Sequence, residues 1–529
     1  MGWRASGLAL ACIVAGVAGP AAAGEPAGPA LIPRPVSVQQ CDGAFALEAS
    51  TGILHSPVAE PAARRLQAAL AEVTGLSLPL GPLDSGAARA IRLELGGPGA
   101  GPEAYRLDVD PARITLEASD AAGLFYAGQT LVQLLSRAGE PGSWALPCVR
   151  VRDAPRFPWR GLMLDCSRTF QSLDYLRRTI DRMAFYKMNV LHLHLTDDQG
   201  WRLEIRSHPE LTERGARFPD HWNEPSTHHG HYTQAQMREL IRYAADRSVT
   251  IVPEIEMPGH SLAALAVLPA LSCSGGPFEI HPFFEGPHIH EDIYCAGNDE
   301  TFRFLEDVLG EVIDLFPSEL IHVGGDEAPK GRWETCPKCQ ARMRAEGLED
   351  EEELQSWFIE RLGPFVESRG KRIIGWDEIL QGGLPAGAAV MSWRGIEGGI
   401  AAAQSGHDVV MSPTSHCYFD YTYERIDTRH AYAYEPVPEE LDAAQGRHIL
   451  GVQANFWSHI NREPDEVDTQ IFPRLLAIAE RGWSPEGARS WEDFRRRVEA
   501  HLPRLRAMGI RYHEDAAVMP PGGGDSDLP

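Results

Sequence analysis

The chain has 529 residues, 43% of them hydrophobic, which is enough to bury a large core divided over two or three domains. Its formal net charge is −25 and it has no basic stripe, which argues against nucleic acid as a partner. No apolar run is long enough to cross a bilayer, so the sequence predicts no membrane span.

The first residues are typical of an export signal. Arg4 supplies a basic start, residues 8–17 form a short apolar stretch, and small residues end at Ala23. We therefore expect a signal peptide at 1–23, cleavage, and a periplasmic or extracellular location. A Gly- and Pro-containing linker is predicted at 24–30.

The segment 31–155 mixes short alternating strands with helical periodicity. Strands are predicted at 90–95 and 105–109, and helices at 59–73 and 121–136. This pattern indicates a compact α+β accessory domain. It carries no catalytic constellation of its own, so a supporting role is expected.

From Trp159 onward, apolar strands alternate with helices. The strands are predicted at 161–165, 190–195, 250–256, 320–323, 372–376, 389–393, 408–412 and 448–454. Helical periodicity lies at 173–188, 233–247, 302–316, 354–369, 472–483 and 490–508. Eight such units predict an α/β fold, a closed (β/α)8 TIM barrel spanning 156–512. A disordered tail is expected at 513–529.

Ionisable and aromatic residues gather where the predicted barrel strands end, which is where barrel enzymes build their active sites. The fourth strand delivers two glycines and then Asp326 and Glu327. Read alone, this pair would be a solvated turn. The other strands end close to a set of residues of the same kinds: Asp165, Arg168, Asp197, Asp198, Glu254, Glu256, His260, Trp376, Trp393, Tyr418, Asp420 and Trp457. The clustering favours a catalytic site over a turn.

Three tryptophans at one rim indicate a sugar pocket. Trp376, Trp393 and Trp457 offer flat apolar faces for a pyranose ring, while acids and an arginine can bind its hydroxyls. The alternative is a metal site, because His192 and His194 share one face of a strand. Both precede the strand end, so packed, hydrogen-bonded histidines are favoured and no metal or cofactor is expected.

The cysteines allow more than one interpretation. Cys273 and Cys295 flank a loop and are the pair we expect to form a disulfide. Cys336 and Cys339 could be half of a zinc site, but no second CxxC completes it. A local disulfide or two free thiols is favoured there.

Several long motifs resemble glycoside hydrolase family 20, the β-N-acetylhexosaminidases. They are RGLMLDCSR at 160–168, NVLHLHLTDDQGW at 189–201, PEIEMPGH at 253–260, HVGGDE at 322–327 and GVQANFWS at 451–458. The segment 103–135 resembles the accessory domain of the same family. The resemblance covers nearly the whole chain after the signal.

The resemblance implies a retaining, exo-acting hydrolysis in which the substrate's own 2-acetamido group attacks C1. Glu327 would be the general acid and base, Asp326 would orient the acetamido nitrogen, and Tyr418 would donate to its carbonyl. Other implied roles are hydroxyl binding by Arg168 and Asp420, pocket walls from Trp376, Trp393 and Trp457, and support of Glu327 by Asp197 and His260. The implied substrate is a small oligosaccharide or glycoconjugate.

Two positions depart from the family pattern. His459 stands where a glutamate commonly binds the O4 or O6 hydroxyl, and Thr169 stands where histidine is common. The choice between gluco- and galacto-configured substrates therefore stays open, as does the oligomeric state. The alternative functions are a carbohydrate-binding protein that has lost catalysis and a metal-dependent barrel hydrolase.

Overall fold

The computed structural model of the protein describes residues 28–86, 89–97, 101–138, 142–385 and 387–519. The predicted signal peptide and most of the predicted linker lie outside the described residues. Of the linker, residues 28–30 pack on the C-terminal helix, where His501 Nε2 lies 2.7 Å from the carbonyl oxygen of Ala30.

The N-terminal part forms one mixed sheet with two helices. The strands, in their order across the sheet, are Ser37–Leu47, Trp144–Asp153, Tyr105–Val109, Arg113–Ala118, Ala90–Leu95, Gly52–His55 and Leu80–Pro82. The short strand Ser136–Arg137 pairs with Trp144–Asp153. The helices are Glu60–Thr74 and Ala121–Leu134. The second helix ends earlier than predicted because residues 136–137 leave it to join the sheet.

The second part is a closed barrel of eight parallel strands, which confirms the predicted fold class. The strands are Trp159–Asp165, Val190–His194, Thr250–Met257, Leu320–Gly324, Arg372–Trp376, Ala389–Ser392, Val409–Met411 and Ile449–Phe456. The eighth strand pairs in parallel with the first and closes the barrel. Each lies within two residues of its predicted bounds, because buried parallel strands are unbroken apolar runs.

Helices surround the barrel. They are Leu173–Phe185, Glu210–Glu213, Gln234–Ala245, Leu262–Val267, Asp299–Leu315, Gly331–Thr335, Pro337–Glu346, Glu351–Glu367, Glu397–Gln404, Thr428–Ala433, Pro464–Ile471, Leu475–Trp483 and Trp491–Ala507. Inside the barrel, an apolar column of residues such as Val252, Ile374 and Met391 leads up to Trp376. Trp393 and Trp457 pack against that column, so the barrel interior is filled beneath them. No helix of the described residues is long and apolar enough to cross a membrane.

A buried polar contact joins the N-terminal sheet to the barrel. Lys187 Nζ lies 2.8 Å from Asp153 Oδ2 and 2.7 Å from the Tyr105 hydroxyl. The indole nitrogen of Trp483 donates to Asp153 Oδ1 at 2.9 Å. Residues from both parts therefore share one hydrogen-bonded cluster.

Two sequence predictions are wrong. Residues 513–519 of the predicted disordered tail are packed on the barrel: Asp515 accepts from the backbone N–H of Thr428 at 2.8 Å, and Val518 is fully buried. The Gly- and Pro-rich composition that suggested disorder begins only at residue 520. Cys273 and Cys295 form no disulfide with each other. The sulfur of Cys295 lies instead next to those of Cys336 and Cys339.

Candidate active site

The segment after the fourth barrel strand makes a tight turn that only glycine permits. Gly324 and Gly325 have φ of 66° and 98°. A Cβ at Gly324 would lie 1.6 Å from Glu256 Oε2, and one at Gly325 would lie 2.5 Å from Ile379. Glu327 follows with φ of 44°, a left-handed conformation that costs free energy for a side chain of this kind.

The turn gives the two carboxylates different surroundings. The side chain of Asp326 is 10% exposed and that of Glu327 is 36% exposed. Burial, opposed by the charge of His260 and reinforced by that of Glu254, raises the pKa of Asp326 to about 6. Among the described residues, Asp326 Oδ1 has no hydrogen-bond partner. Two adjacent acids are thus made chemically unequal, as a division of catalytic roles requires.

His260 connects this pair to the acids of the second strand. Its Nε2 lies 3.4 Å from Glu327 Oε2 and 3.7 Å from Asp326 Oδ2. Its Nδ1 lies 3.2 Å from Asp197 Oδ1. Burial alone would lower the pKa of His260, but Asp197, Asp198 and Glu327 together outweigh burial, and the pKa lies well above 6.5. A positive charge therefore stands beside both carboxylates at neutral pH.

Asp197 holds His260 and Arg168 together. Arg168 Nη2 lies 2.7 Å from Asp197 Oδ2, and Arg168 Nη1 lies 3.2 Å from Asp165 Oδ2. Burial would raise the pKa of Asp197, but Arg168 and His260 outweigh it and hold the pKa well below 3.8. The guanidinium of Arg168 lies 4.8 Å from the ring centroid of Trp457, in cation–π contact.

Four aromatic rings form one continuous wall. Trp376 is fully buried at its base, 5.9 Å from Trp457 and 6.5 Å from Trp393 between ring centroids. Tyr418 stacks on Trp393 at 6.1 Å and lies 6.4 Å from Trp457. The three predicted tryptophans and Tyr418 are thus brought together, as a sugar pocket needs.

His459 and Asp420 lie close together, and the charge of Arg168 acts on both. His459 Nε2 lies 3.9 Å from Asp420 Oδ2. Burial and then Arg168 lower the pKa of His459 to about 4, while burial raises the pKa of Asp420 to about 7. His459 is therefore neutral at neutral pH.

Thr169, the second departure, ties the loop after the first strand to the loop after the eighth. Its backbone N–H donates to Ser458 Oγ at 3.0 Å, and its hydroxyl donates to the Ser458 carbonyl at 3.2 Å. This contact holds the residue directly before His459.

The sequence prediction missed Glu378. It accepts from the indole nitrogen of Trp393 at 2.9 Å, and burial followed by the charge of Asp326 raises its pKa to about 8. The adjacent Asp377 accepts from the backbone N–H of Trp393 at 3.0 Å. Both acids directly follow Trp376 at the end of the fifth strand, so the strand-end criterion that selected Asp326 and Glu327 would have found them.

His192 and His194 lie inside the barrel, as predicted. Both are fully buried, and both face Glu254: His194 Nδ1 lies 2.5 Å and His192 Nε2 lies 3.2 Å from its Oε2. His194 Nε2 also lies 2.9 Å from Asp197. The two imidazoles thus contact the acids beneath the pocket, Glu254 and Asp197.

Unequal carboxylates facing a wall of indole rings at the C-terminal mouth of a parallel barrel define a glycoside hydrolase site. Comparison with known proteins identifies the family. The profile described as "Glycosyl hydrolase family 20, catalytic domain" matches residues 157–486, and "Glycosyl hydrolase family 20, domain 2" matches residues 28–154. The chain belongs to glycosyl hydrolase family 20.

Curated relatives and solved structures agree with this assignment. The chain is 42% identical over 520 residues to a beta-hexosaminidase of Porphyromonas gingivalis, covering 94% of this chain and 66% of that protein. It is 34% identical over 518 residues to the beta-N-acetylhexosaminidase of Cellulomonas fimi, covering 94% of this chain and 98% of that protein.

Among solved structures, an exo beta-N-acetylglucosaminidase from Vibrio harveyi matches with a TM-score of 0.83 at 33% identity, covering 92% of this chain and 78% of that one. The beta-N-acetylhexosaminidase from Streptomyces coelicolor matches with a TM-score of 0.81 at 34% identity, covering 92% and 97%. This chain is thus similar to enzymes of one family over nearly its whole length.

Proposed function

We propose that the protein is an exo-acting, retaining β-N-acetylhexosaminidase that uses the acetamido group of its substrate as the nucleophile. It removes terminal N-acetylglucosamine or N-acetylgalactosamine from β-glycosides. The observation that carries the proposal is the inequality of Asp326 and Glu327, one buried with a raised pKa and one partly exposed.

Glu327 acts as the general acid and then as the general base. It is the more accessible of the pair and lies next to the cationic His260, which holds its carboxyl group in place. In the first step it gives its proton to the glycosidic oxygen as the C1–O bond breaks. In the second step it takes a proton from the water that attacks C1.

Asp326 and Tyr418 position the acetamido group. The carboxylate of Asp326 accepts the acetamido N–H, and the Tyr418 hydroxyl donates to the acetamido oxygen as that oxygen bonds to C1. This forms a cyclic oxazolinium, which water opens with overall retention. Asp326 Oδ1 has no hydrogen-bond partner within the described ranges, so it is free to accept this bond.

The pocket supports exo action. Trp376 is fully buried and the barrel below it is filled, so a chain cannot thread past the base of the site. In this proposal Arg168 and Asp420 bind ring hydroxyls; the contact of Arg168 with Trp457 and the burial of both side chains support the assignment. Export to the periplasm or medium remains part of the proposal and is supported by the sequence of residues 1–23 alone.

The experiment compares an aryl β-N-acetylglucosaminide with the matching aryl β-glucoside. We expect hydrolysis of the first only, because the second lacks the nucleophile; comparable rates on the two would refute substrate assistance. We also expect kcat/KM to fall as the pH falls through about 6, because a protonated Asp326 no longer accepts the acetamido N–H freely. Asp326→Asn should lose most of its activity and this acidic limb together.

A further inference from the structure

Four cysteines outside the active site converge on one point. Cys273 and Cys295 come from the long segment after the third barrel strand, and Cys336 and Cys339 from the segment after the fourth. Three of them are buried and Cys273 is partly buried. All four sulfurs lie within 4.8 Å of one another.

The spacing of the sulfurs is that of ligands around one ion. The Cys295–Cys339, Cys273–Cys339 and Cys295–Cys336 sulfur pairs are 3.6, 3.7 and 3.8 Å apart. Four thiolates in a tetrahedron about Zn²⁺, each about 2.3 Å from the ion, lie about 3.8 Å from each other. A disulfide would need about 2.0 Å. We propose that these four cysteines bind a structural zinc ion.

The surrounding backbone is built to hold such a site. Cys336 precedes the helix Pro337–Glu346, so the CxxC bends at a helix start. Gly297 packs directly on this bend: a Cβ there would lie 2.1 Å from the carbonyl carbon of Lys338. The backbone N–H of Cys295 donates to Leu271 at 2.8 Å, which places Cys295 close to Cys273.

The donor set defines the chemistry of the ion. Four thiolates with no carboxylate, imidazole or open position are typical of a closed, structural zinc site and not of a catalytic one. Binding takes one proton from each of the four thiols, and the resulting centre carries a formal charge of −2.

The zinc connects the two segments that carry His260 and the pair it positions. His260 lies at the start of the first segment, and Asp326 and Glu327 at the start of the second. Between them, the indole nitrogen of Trp333 donates to the Tyr294 carbonyl at 2.9 Å, and the Tyr294 N–H donates to Pro258 at 3.1 Å. The cross-link therefore stabilises the turn at Asp326 and Glu327 without touching substrate.

The test is metal analysis of the full-length purified protein. We expect about one zinc per chain and, by X-ray absorption at the zinc edge, four sulfur neighbours at about 2.3 Å. Three outcomes would overturn the proposal: metal-free protein with titratable thiols at these positions, metal-free protein whose intact mass shows two disulfides, or iron in place of zinc.

Cysteine variants at the proposed site can be compared with a cysteine variant outside it. Cys295→Ser and Cys339→Ser should lose the zinc and melt at a lower temperature. Cys148→Ser changes a buried cysteine of the N-terminal sheet and should keep one zinc per chain. Zinc retained in full by both site variants, or lost equally in the control, contradicts the assignment. Because zinc content is measured directly, failure of the proposed hexosaminidase activity would leave this result unaffected.

Discussion

Two buried polar clusters of this protein differ in whether their polar atoms have hydrogen-bond partners. The interdomain cluster consists of Asp153, Lys187, Tyr105 and Trp483, and each oxygen of Asp153 accepts at least two hydrogen bonds. The mouth cluster consists of Asp326, Glu256, Asp420 and Arg168. In the described part of the chain, one or more buried polar atoms of each of these four residues has no hydrogen-bond partner.

The difference separates a structural from a functional role. A buried polar atom without a partner costs about 1–3 kcal/mol, so a cluster that only stabilised the fold would pair its atoms, as the interdomain cluster does. The mouth cluster instead keeps donors and acceptors that a polar ligand can satisfy. The pKa values of Asp326 and Asp420 in this cluster are raised because both side chains are buried, and burial penalises their charged forms.

The largest expected effect is that of Glu327→Gln on catalysis. The amide keeps the size of the side chain but cannot donate or take the proton, so kcat/KM should fall by about 10²–10⁴-fold. The melting temperature should hardly change, because the side chain is 36% exposed. Rates on an aryl N-acetylglucosaminide and a thermal melt give both quantities. Near-normal turnover would refute the role of Glu327.

The matching acid-to-amide substitution at the interdomain cluster should lower stability and leave catalysis unaltered. Asp153→Asn leaves the Lys187 ammonium buried without its counter-ion, and removal of one partner of such a pair costs about 3–5 kcal/mol. The variant should unfold at lower denaturant concentration yet keep the kcat of the wild type per folded molecule. A loss of kcat without a loss of stability would break the distinction between the two clusters.

The sequence alone predicted the features that depend on local patterns of apolar residues and glycines. The eight strands and the pair Asp326 and Glu327 follow from apolar runs and from glycines at a strand end. It could not predict contacts that depend on loop packing: Cys273 and Cys339 are 66 residues apart in the chain, and no spacing rule joins them. Nor could it give the charge of His260 or Asp420, because burial and neighbouring charges set it.

A smaller effect is expected from Glu378, on the pH dependence of stability. Its pKa is raised from 4.5 to about 8, so the folded protein binds a proton that the unfolded chain releases. Glu378 therefore lowers stability progressively as the pH rises from about 4.5 to about 8.

Glu378→Gln should remove this loss, and the gain in stability over wild type should grow with pH to the order of a few kcal/mol. Glutamine can still accept from Trp393, so the aromatic wall should stay in place. Denaturant unfolding at pH 5 and pH 8 measures the difference. An equal difference at both pH values would contradict the raised pKa.

The smallest effect is expected at His459, which lies next to Asp420 of the mouth cluster, and it tests whether this position selects substrate by charge or by hydrogen bonding. The pKa of His459 is lowered to about 4, so the side chain is neutral above pH 5. We therefore expect His459→Gln to change kcat/KM by only about two- to tenfold, which corresponds to the loss of one hydrogen bond. The pH profile should stay unaltered, because no charge is removed. His459→Glu instead adds a carboxylate next to Asp420, and we expect it to change the ratio of kcat/KM for aryl N-acetylglucosaminide and N-acetylgalactosaminide. If His459→Gln shifted that ratio as far as His459→Glu, the shape of the imidazole and not its neutrality would set the preference.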